Sequence, residues 1–221
     1  MDLTEGFHDE VIETRENNLS NSTATIKSKV STYPLKPGGA SFKTNVLIQV
    51  NTSKLIYKPS IGAAIFSFVF FAVGFGVLFF AFLPLFKTNI ETVSINWFLI
   101  LFGLLFSGAG GFMFYKFYKP RVFDKQQGLY YTTYQFKLHQ SRRQESKDYL
   151  LLKSIVAIQI IGEHVQSDDG SYKSFELNLV LNDASRKNVV DHGNLKSIIK
   201  DAEMLSAFLN IPIWHASSHT D

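Results

Sequence analysis

The chain has 221 residues, a formal net charge of +3 and 19% charged side chains, which allows one or two domains and is too balanced for a nucleic-acid-binding surface. It contains no cysteine, so disulfides, thiolate metal sites and cysteine nucleophiles are excluded. Fifteen of the 21 Phe fall between Phe66 and Phe117, so the mild average hydropathy is an extremely apolar middle diluted by two polar ends.

Residues 1–24 carry six acids against the single Arg15 and end in polar NNLSNSTA. With so few large apolar side chains they are expected to form a mobile acidic tail, and they lack the basic and apolar regions of a secretory signal. From 25 to 60 the sign reverses, with Lys27, Lys29, Lys36, Lys43, Lys54 and Lys58 and no acid. YPLKPGGASF is a Pro/Gly turn signal, and VLIQV (46–50) and KLIYK (54–58) around NTS predict a short β-hairpin.

Residues 61–86 contain no charged side chain and exceed the roughly 20 residues that cross a ~30 Å hydrocarbon core as a helix. A second apolar run, 97–118, is edged by Trp97, Tyr115 and Tyr118, aromatic residues of the type that collect at membrane interfaces. Residues 87–96 leave so short a link that the two spans must form an antiparallel hairpin, and Pro84 is tolerated near the end of the first. A water-facing helix shows one apolar stripe and one polar face. Here every face is apolar.

Lysines flank the outer ends of both spans, whereas the link carries only Lys87 against Glu91. The positive-inside rule therefore places both termini in the cytoplasm and the link outside. Lys54, Lys58, Lys116, Lys119, Arg121 and Lys125 are candidate contacts for anionic lipid headgroups, with plain topology determination as the simpler role. Gly103, Ser107 and Gly111 recur at four-residue spacing and Gly74 lies mid-way along the first span. Such small residues let helices approach closely, within one chain or in a homo-oligomer. Neither span holds a charged or His side chain in its core, which disfavours a transporter or channel.

From Pro120 the pattern becomes that of a soluble domain. RVFDKQQGLYYTTYQF predicts strand, turn and strand; LLKSIVAIQIIGEHV and FELNLVL predict strands joined at Asp169 and Gly170; RKNVVDH predicts another. In NLKSIIKDAEMLSAFL the apolar residues recur at three and four, an amphipathic helix from near Asn194 to before Pro212. Several antiparallel strands closed by one C-terminal helix is the order of a pleckstrin-homology-like barrel over 120–215. The series FDKQQGLYY, LLKSIVAIQIIGE, FELNLVLNDASRKNVVDHGN and DAEMLSAFLNIPIW, with PLKPGGASF ahead of the first span, resembles small bacterial membrane proteins with two transmembrane helices and a pleckstrin-homology-like (PH-like) domain. The resemblance implies an α+β membrane protein, a helical hairpin plus an antiparallel barrel or sheet capped by a helix. It implies no reaction.

The most site-like cluster is Asp191, His192 and Gly193, but neighbours on a strand face opposite ways, so Asp191 is not expected to orient His192. A strand-to-helix turn capped by Asp191 or Asn194 is the preferred account. Glu163 and His164 near Asp168 and Asp169, and His215 and His219 near Asp221, do not promise the three or four convergent ligands of a zinc site; they are expected on solvated turns and a tail. Lys137, Arg142, Arg143 and Lys147 form a basic connection mixed with Glu145 and Asp148, suited to phosphorylated headgroups or simply exposed. No nucleotide-binding loop, GxSxG or HExxH motif is present. The expectation is a non-enzymatic protein of the bacterial inner membrane, without cofactor, whose cytoplasmic domain binds another protein. Lipid-headgroup binding and immunity against a membrane-acting toxin are the alternatives.

Overall fold

The computed structural model describes residues 23–86, 96–134, 148–167 and 170–219, apart from the side chains of 85, 167 and 217–219. The acidic tail up to residue 22, the link 87–95, the basic connection with Lys137, Arg142, Arg143 and Lys147, and Asp168, Asp169 and Asp221 lie outside them. In chain order the elements are α1 (23–29), β1 (Asn45–Asn51), β2 (Lys54–Pro59), α2 (Ile61–Phe82), α3 (Trp97–Tyr118), β3 (Arg121–Asp124), β4 (Leu129–Tyr131), β5 (Tyr149–Leu151), β6 (Ile155–Ser167), β7 (Gly170–Leu181), β8 (Arg186–His192), α4 (Leu195–Leu209) and β9 (Ile213–His219). They fall into two compact units, Phe42–Leu150 and the residues up to Ser41 taken with Leu151–Asp221.

The first unit joins two long helices to a five-stranded sheet of order β1-β2-β3-β4-β5. The expected hairpin forms as β1 and β2, with Leu47 opposite Tyr57. The DKQQG turn links β3 and β4, with Gln127 N donating to Asp124 Oδ1 at 3.1 Å and Gly128 at φ +67° closing the turn. Alternation on β2 buries Leu55 and Tyr57, whereas β3 and β4 are buried on both faces, Val122, Phe123, Leu129 and Tyr130 among them. Strand β2 runs into α2, and α3 runs out into β3, while β2 and β3 are paired in register from Lys54–Asp124 to Tyr57–Arg121. Both helices therefore leave the sheet from neighbouring strands at one end.

Helices α2 and α3 are both long and apolar enough to cross a membrane; 22 residues span about 33 Å. Their buried residues are all small: Ala63, Ser67, Gly74 and Ala81 on α2, Gly103 and Gly110 on α3. Their large residues face outward, with Phe80 and Leu101 each 67% exposed. A side chain at Gly74 would collide with Ser107 and one at Gly110 with the backbone of Phe71. Rising numbers on α2 thus meet falling numbers on α3, as an antiparallel hairpin requires. Gly111 lies off the contact between α2 and α3, because a Cβ there meets nothing within 4 Å. Seven residues return a helix to within about 20° of the same face, whereas eight overshoot by about 80°, so Gly110 follows Gly103 on the contact line. Phe70 stacks on Phe106 with ring centroids 5.4 Å apart beside it.

The second unit is a four-stranded sheet of order β8-β7-β6-β9. Antiparallel β6–β7 places Gln159 opposite Asn178 and Ile160 opposite Leu177. Cross-strand partners share a face, which separates the side chains into two sets. Ile158, Ile160, Leu177, Leu179 and buried His192 lie on the face of α4, whose Asp201 contacts His192 at 3.4 Å. Helix α4 buries Ile198, Ala202, Leu205 and Phe208, with Asn194 as its N-cap and Asn210 as a left-handed C-cap ahead of Pro212. On the other face Ala157 and Val180 pack with Val30 and Trp214, and Ile26 of α1 joins them.

Two expectations change. WHASSH is strand β9, paired parallel to β6, because main-chain bonding along the β6 edge and burial of Trp214 outweigh the absence of apolar alternation. Residues 120–215 are also divided, with β3–β5 in the sheet of β1 and β2 and β6–β9 in the other.

Candidate functional site

Two groups of residues gather polar side chains, one at the helix ends of the first unit and one on the sheet of the second. At the helix ends, residues 42–45 close both helices. The Ser60 hydroxyl accepts from Ala63 N at 3.0 Å and donates to Lys43 O at 2.6 Å, so it caps α2 and ties it to the start of β1. Buried Asn45 donates through Nδ2 to Phe117 O in the last turn of α3 at 3.1 Å and accepts from Arg121 Nη1 at 2.9 Å. Phe42 rests against Phe66 and Phe117, with centroids 6.3 and 6.4 Å away. Orphan helix-end groups need such partners.

The six candidate headgroup residues divide by position and by partner. Lys58, Lys116, Lys119 and Arg121 lie at or near the helix ends; Lys58 and Lys116 are exposed, Lys116 sits 5.5 Å from the Phe112 ring, and Lys119 pairs with Asp148 at 3.4 Å. Lys54 and Lys125 lie six residues from Ser60 and Lys119 along strands that run away from the helices, about 20 Å at ~3.3 Å per residue. They do not belong to the helix-end set. Lys54 instead pairs with Asp124 at 3.4 Å; burial lowers its pKa, but contacts with Tyr131 and Asp124 outweigh this and hold it above the ordinary lysine value. The Tyr115 and Tyr134 rings meet at a tilt with centroids 5.7 Å apart, and the Tyr134 hydroxyl donates to Tyr115 O at 2.9 Å near the end of α3.

In the second unit, residues 31–40 (STYPLKPGGA) lie as a strap over the polar face of β6, β7 and β8. Side chains of the sheet read its main chain position by position. Gln159 Nε2 donates to Ser31 O at 3.0 Å and Arg186 Nη1 to Tyr33 O at 2.8 Å. Glu176 accepts from Leu35 N at 2.8 Å and from Lys36 N at 2.5 Å. Glu163 accepts from Gly38 N at 3.1 Å, Tyr172 Oη donates to Gly39 O at 3.0 Å, and Ser174 Oγ donates to Ala40 O at 3.1 Å. Gly38 takes φ +77°, and a Cβ on Gly39 would collide with the Ser174 hydroxyl, so the PGG step is needed where the strap crosses β7. Glu176 is 1% exposed and is held by these amides and by Asn178 Nδ2 at 2.9 Å. Burial lowers the pKa of Arg186 while the charge of Glu176 works to raise it, so the two form the charged centre of the site.

The remaining candidates serve the fold. Asp191 and His192 face opposite sides of β8, as strand geometry predicts, and Asn194 accepts from Ser197 N at 3.0 Å as the helix cap. His192 pairs with Asp201 rather than with Asp191. Glu163 holds the strap, and exposed His164 borders a cleft of about 810 Å³ with Lys173, Phe175 and Leu195. His215 is exposed on β9. Among the described residues no group of three or more His, Asp or Glu could hold a metal ion. The strap was missed because its recognition groups are backbone amides and carbonyls, and its partners lie more than 120 residues away. The polar alternation of Glu176 and Asn178 within FELNLVL was the available signal. Compared with protein-family models, curated proteins and solved structures, the chain matches none.

Proposed function

We propose that the chain is a non-enzymatic membrane protein of the bacterial inner membrane, whose helical hairpin anchors a cytoplasmic domain that binds another protein. The observation that carries the anchor is the inverted composition of α2 and α3, small residues inside and Phe, Leu, Ile and Val outside. In water that surface would far exceed the few hundred Å² that soluble monomers expose as one patch. Lipid is the solvent that suits it. Ser60 and Asn45 then fix both helix ends to one sheet, a rigid base at the inner surface. The positive-inside rule supports cytoplasmic termini.

The strand series followed by α4 supports the PH-like reading, while parallel β9 departs from a simple capped barrel. Tethering raises the effective concentration of weak contacts, so a shallow binding surface suffices for partner capture. A second reading is favoured by one observation: Lys58, Lys116, Lys119 and Arg121 collect at the helix ends with Tyr115, Tyr118 and Tyr134, a belt suited to anionic headgroups.

Affinity purification of the full-length chain in mild detergent tests the first reading. A specific protein that co-purifies, and is lost when exposed residues of the second unit are changed, supports it; no specific protein contradicts it. Reconstitution into nanodiscs of neutral or anionic lipid tests the second. Preferential retention of anionic lipid, reduced by Lys58→Gln with Lys116→Gln, supports headgroup contact, and indifference to lipid charge removes it.

A further inference from the structure

The two faces of the β6–β7–β8 sheet are covered by very different means. The α4 face is apolar and could not stand open to water. The face under residues 31–40 presents Gln159, Glu163, Tyr172, Ser174, Glu176 and Arg186, groups that water can satisfy when the cover is absent, beside the fully buried Ile161. The strap adds little apolar burial of its own: Tyr33 is 61% and Leu35 40% exposed. It is held through its main chain, with side-chain exclusion at Gly39. A permanent cover is ordinarily apolar on its underside. This one resembles an extended peptide seated in a receptor, with position set by main-chain bonds and selectivity set by the Gly pair.

We infer that this polar face is a docking groove for an extended main chain, closed in cis by residues 31–40 and able to accept the same segment from a second copy of the chain. The strap itself demonstrates the fit, and an identical segment makes identical bonds, so exchange between copies forms no new chemistry and sacrifices none. Such exchange is a low-cost route to self-association. A hairpin confined to one bilayer would keep the donor and acceptor in the same plane. The inference does not require the partner protein proposed above, since it concerns two copies of one chain.

Complementation between two full-length variants tests it. The acceptor has residues 31–40 replaced by Gly and Ser at equal length, leaving its groove empty. The donor keeps its strap but carries Glu163→Ala and Glu176→Gln, leaving that strap unengaged. Differently tagged and mixed in detergent, acceptor and donor are expected to co-purify at least about tenfold above either variant with itself. Gly39→Val in the donor strap is expected to abolish the gain, which distinguishes strap docking from association through the apolar helices. Folded variants that do not associate, or association unaffected by Gly39→Val, would overturn the inference. If the acceptor fails to fold, hydrogen exchange of the unmodified chain in nanodiscs decides. Opening of Leu35, Lys36 and Gly38 amides while β7 stays protected supports release of the strap, and exchange only in concert with β7 contradicts it.

Discussion

Helices α3 and α4 are both regular helices with capped N-termini, yet they are built inside out with respect to each other. On α4 the buried residues are Ile198, Ala202, Leu205 and Phe208 together with Asp201 against His192, and Glu203 is exposed; on α3 they are Gly103 and Gly110, with Leu101, Leu104 and Leu105 exposed. A helix in water gains by hiding its large apolar residues. In lipid that drive vanishes between helices, and close approach of small residues is what remains. The contrast supports water as the solvent of α4 and lipid as the solvent proposed for α3.

Substitutions can break that contrast. Leu205→Ala removes a fully buried side chain beneath the sheet and is expected to cost about 2–5 kcal/mol, read as a lower denaturation midpoint of the detergent-solubilised chain. Leu105→Lys places a charge on an exposed position near the middle of α3. If lipid surrounds it, insertion is disfavoured by about 3 kcal/mol; if water does, a surface change of this kind stays within about 0.5 kcal/mol. Membrane insertion assays separate the two. Gly110→Leu forces α2 and α3 apart at Phe71 and is expected to cost about 1–3 kcal/mol, whereas Gly111→Leu, on open surface, is nearly silent. Comparing the two in thermal melts tests the seven-residue contact line.

The smaller effects sharpen the junction between helix and sheet. Ser60→Ala is expected to cost about 1 kcal/mol through loss of the α2 cap, visible as faster hydrogen exchange at Ala63. Lys54 has the smallest and most conditional effect. Because its pKa is raised in the fold, its contribution is present below the ordinary lysine value and is lost as pH rises through the raised one. Stability of the native chain should therefore fall above about pH 10 more steeply than that of Lys54→Met, a difference measurable by unfolding at pH 8 and pH 11.

The elements whose information is local were legible in the sequence. All-round apolarity marked α2 and α3, the alternation around NTS marked β1 and β2, and the three-and-four spacing ended by Pro212 marked α4. Where the information is distant, it was not. Residues 31–40 are positioned by Gln159, Glu163, Glu176 and Arg186, and nothing in STYPLKPGGA names those partners. Helix α1 is short, and only Ile26 and Val30, one turn apart, hinted at its packing against Trp214. Strand β9 draws its order from the edge of β6 rather than from its own pattern. Glu176 alternates with the apolar residues of FELNLVL, and the distant strap is what buries it.

The most direct test of the membrane hairpin uses the absence of native cysteine. Single cysteines at Phe75, Leu105 and Glu203 can be spin-labelled in the full-length chain reconstituted into lipid, and the collision rates with oxygen and with a water-soluble nickel chelate compared. The account predicts that labels at 75 and 105 meet oxygen and are shielded from nickel, while the label at 203 meets nickel freely. Nickel access at 75 and 105 equal to that at 203 would show that water, not lipid, surrounds these helices.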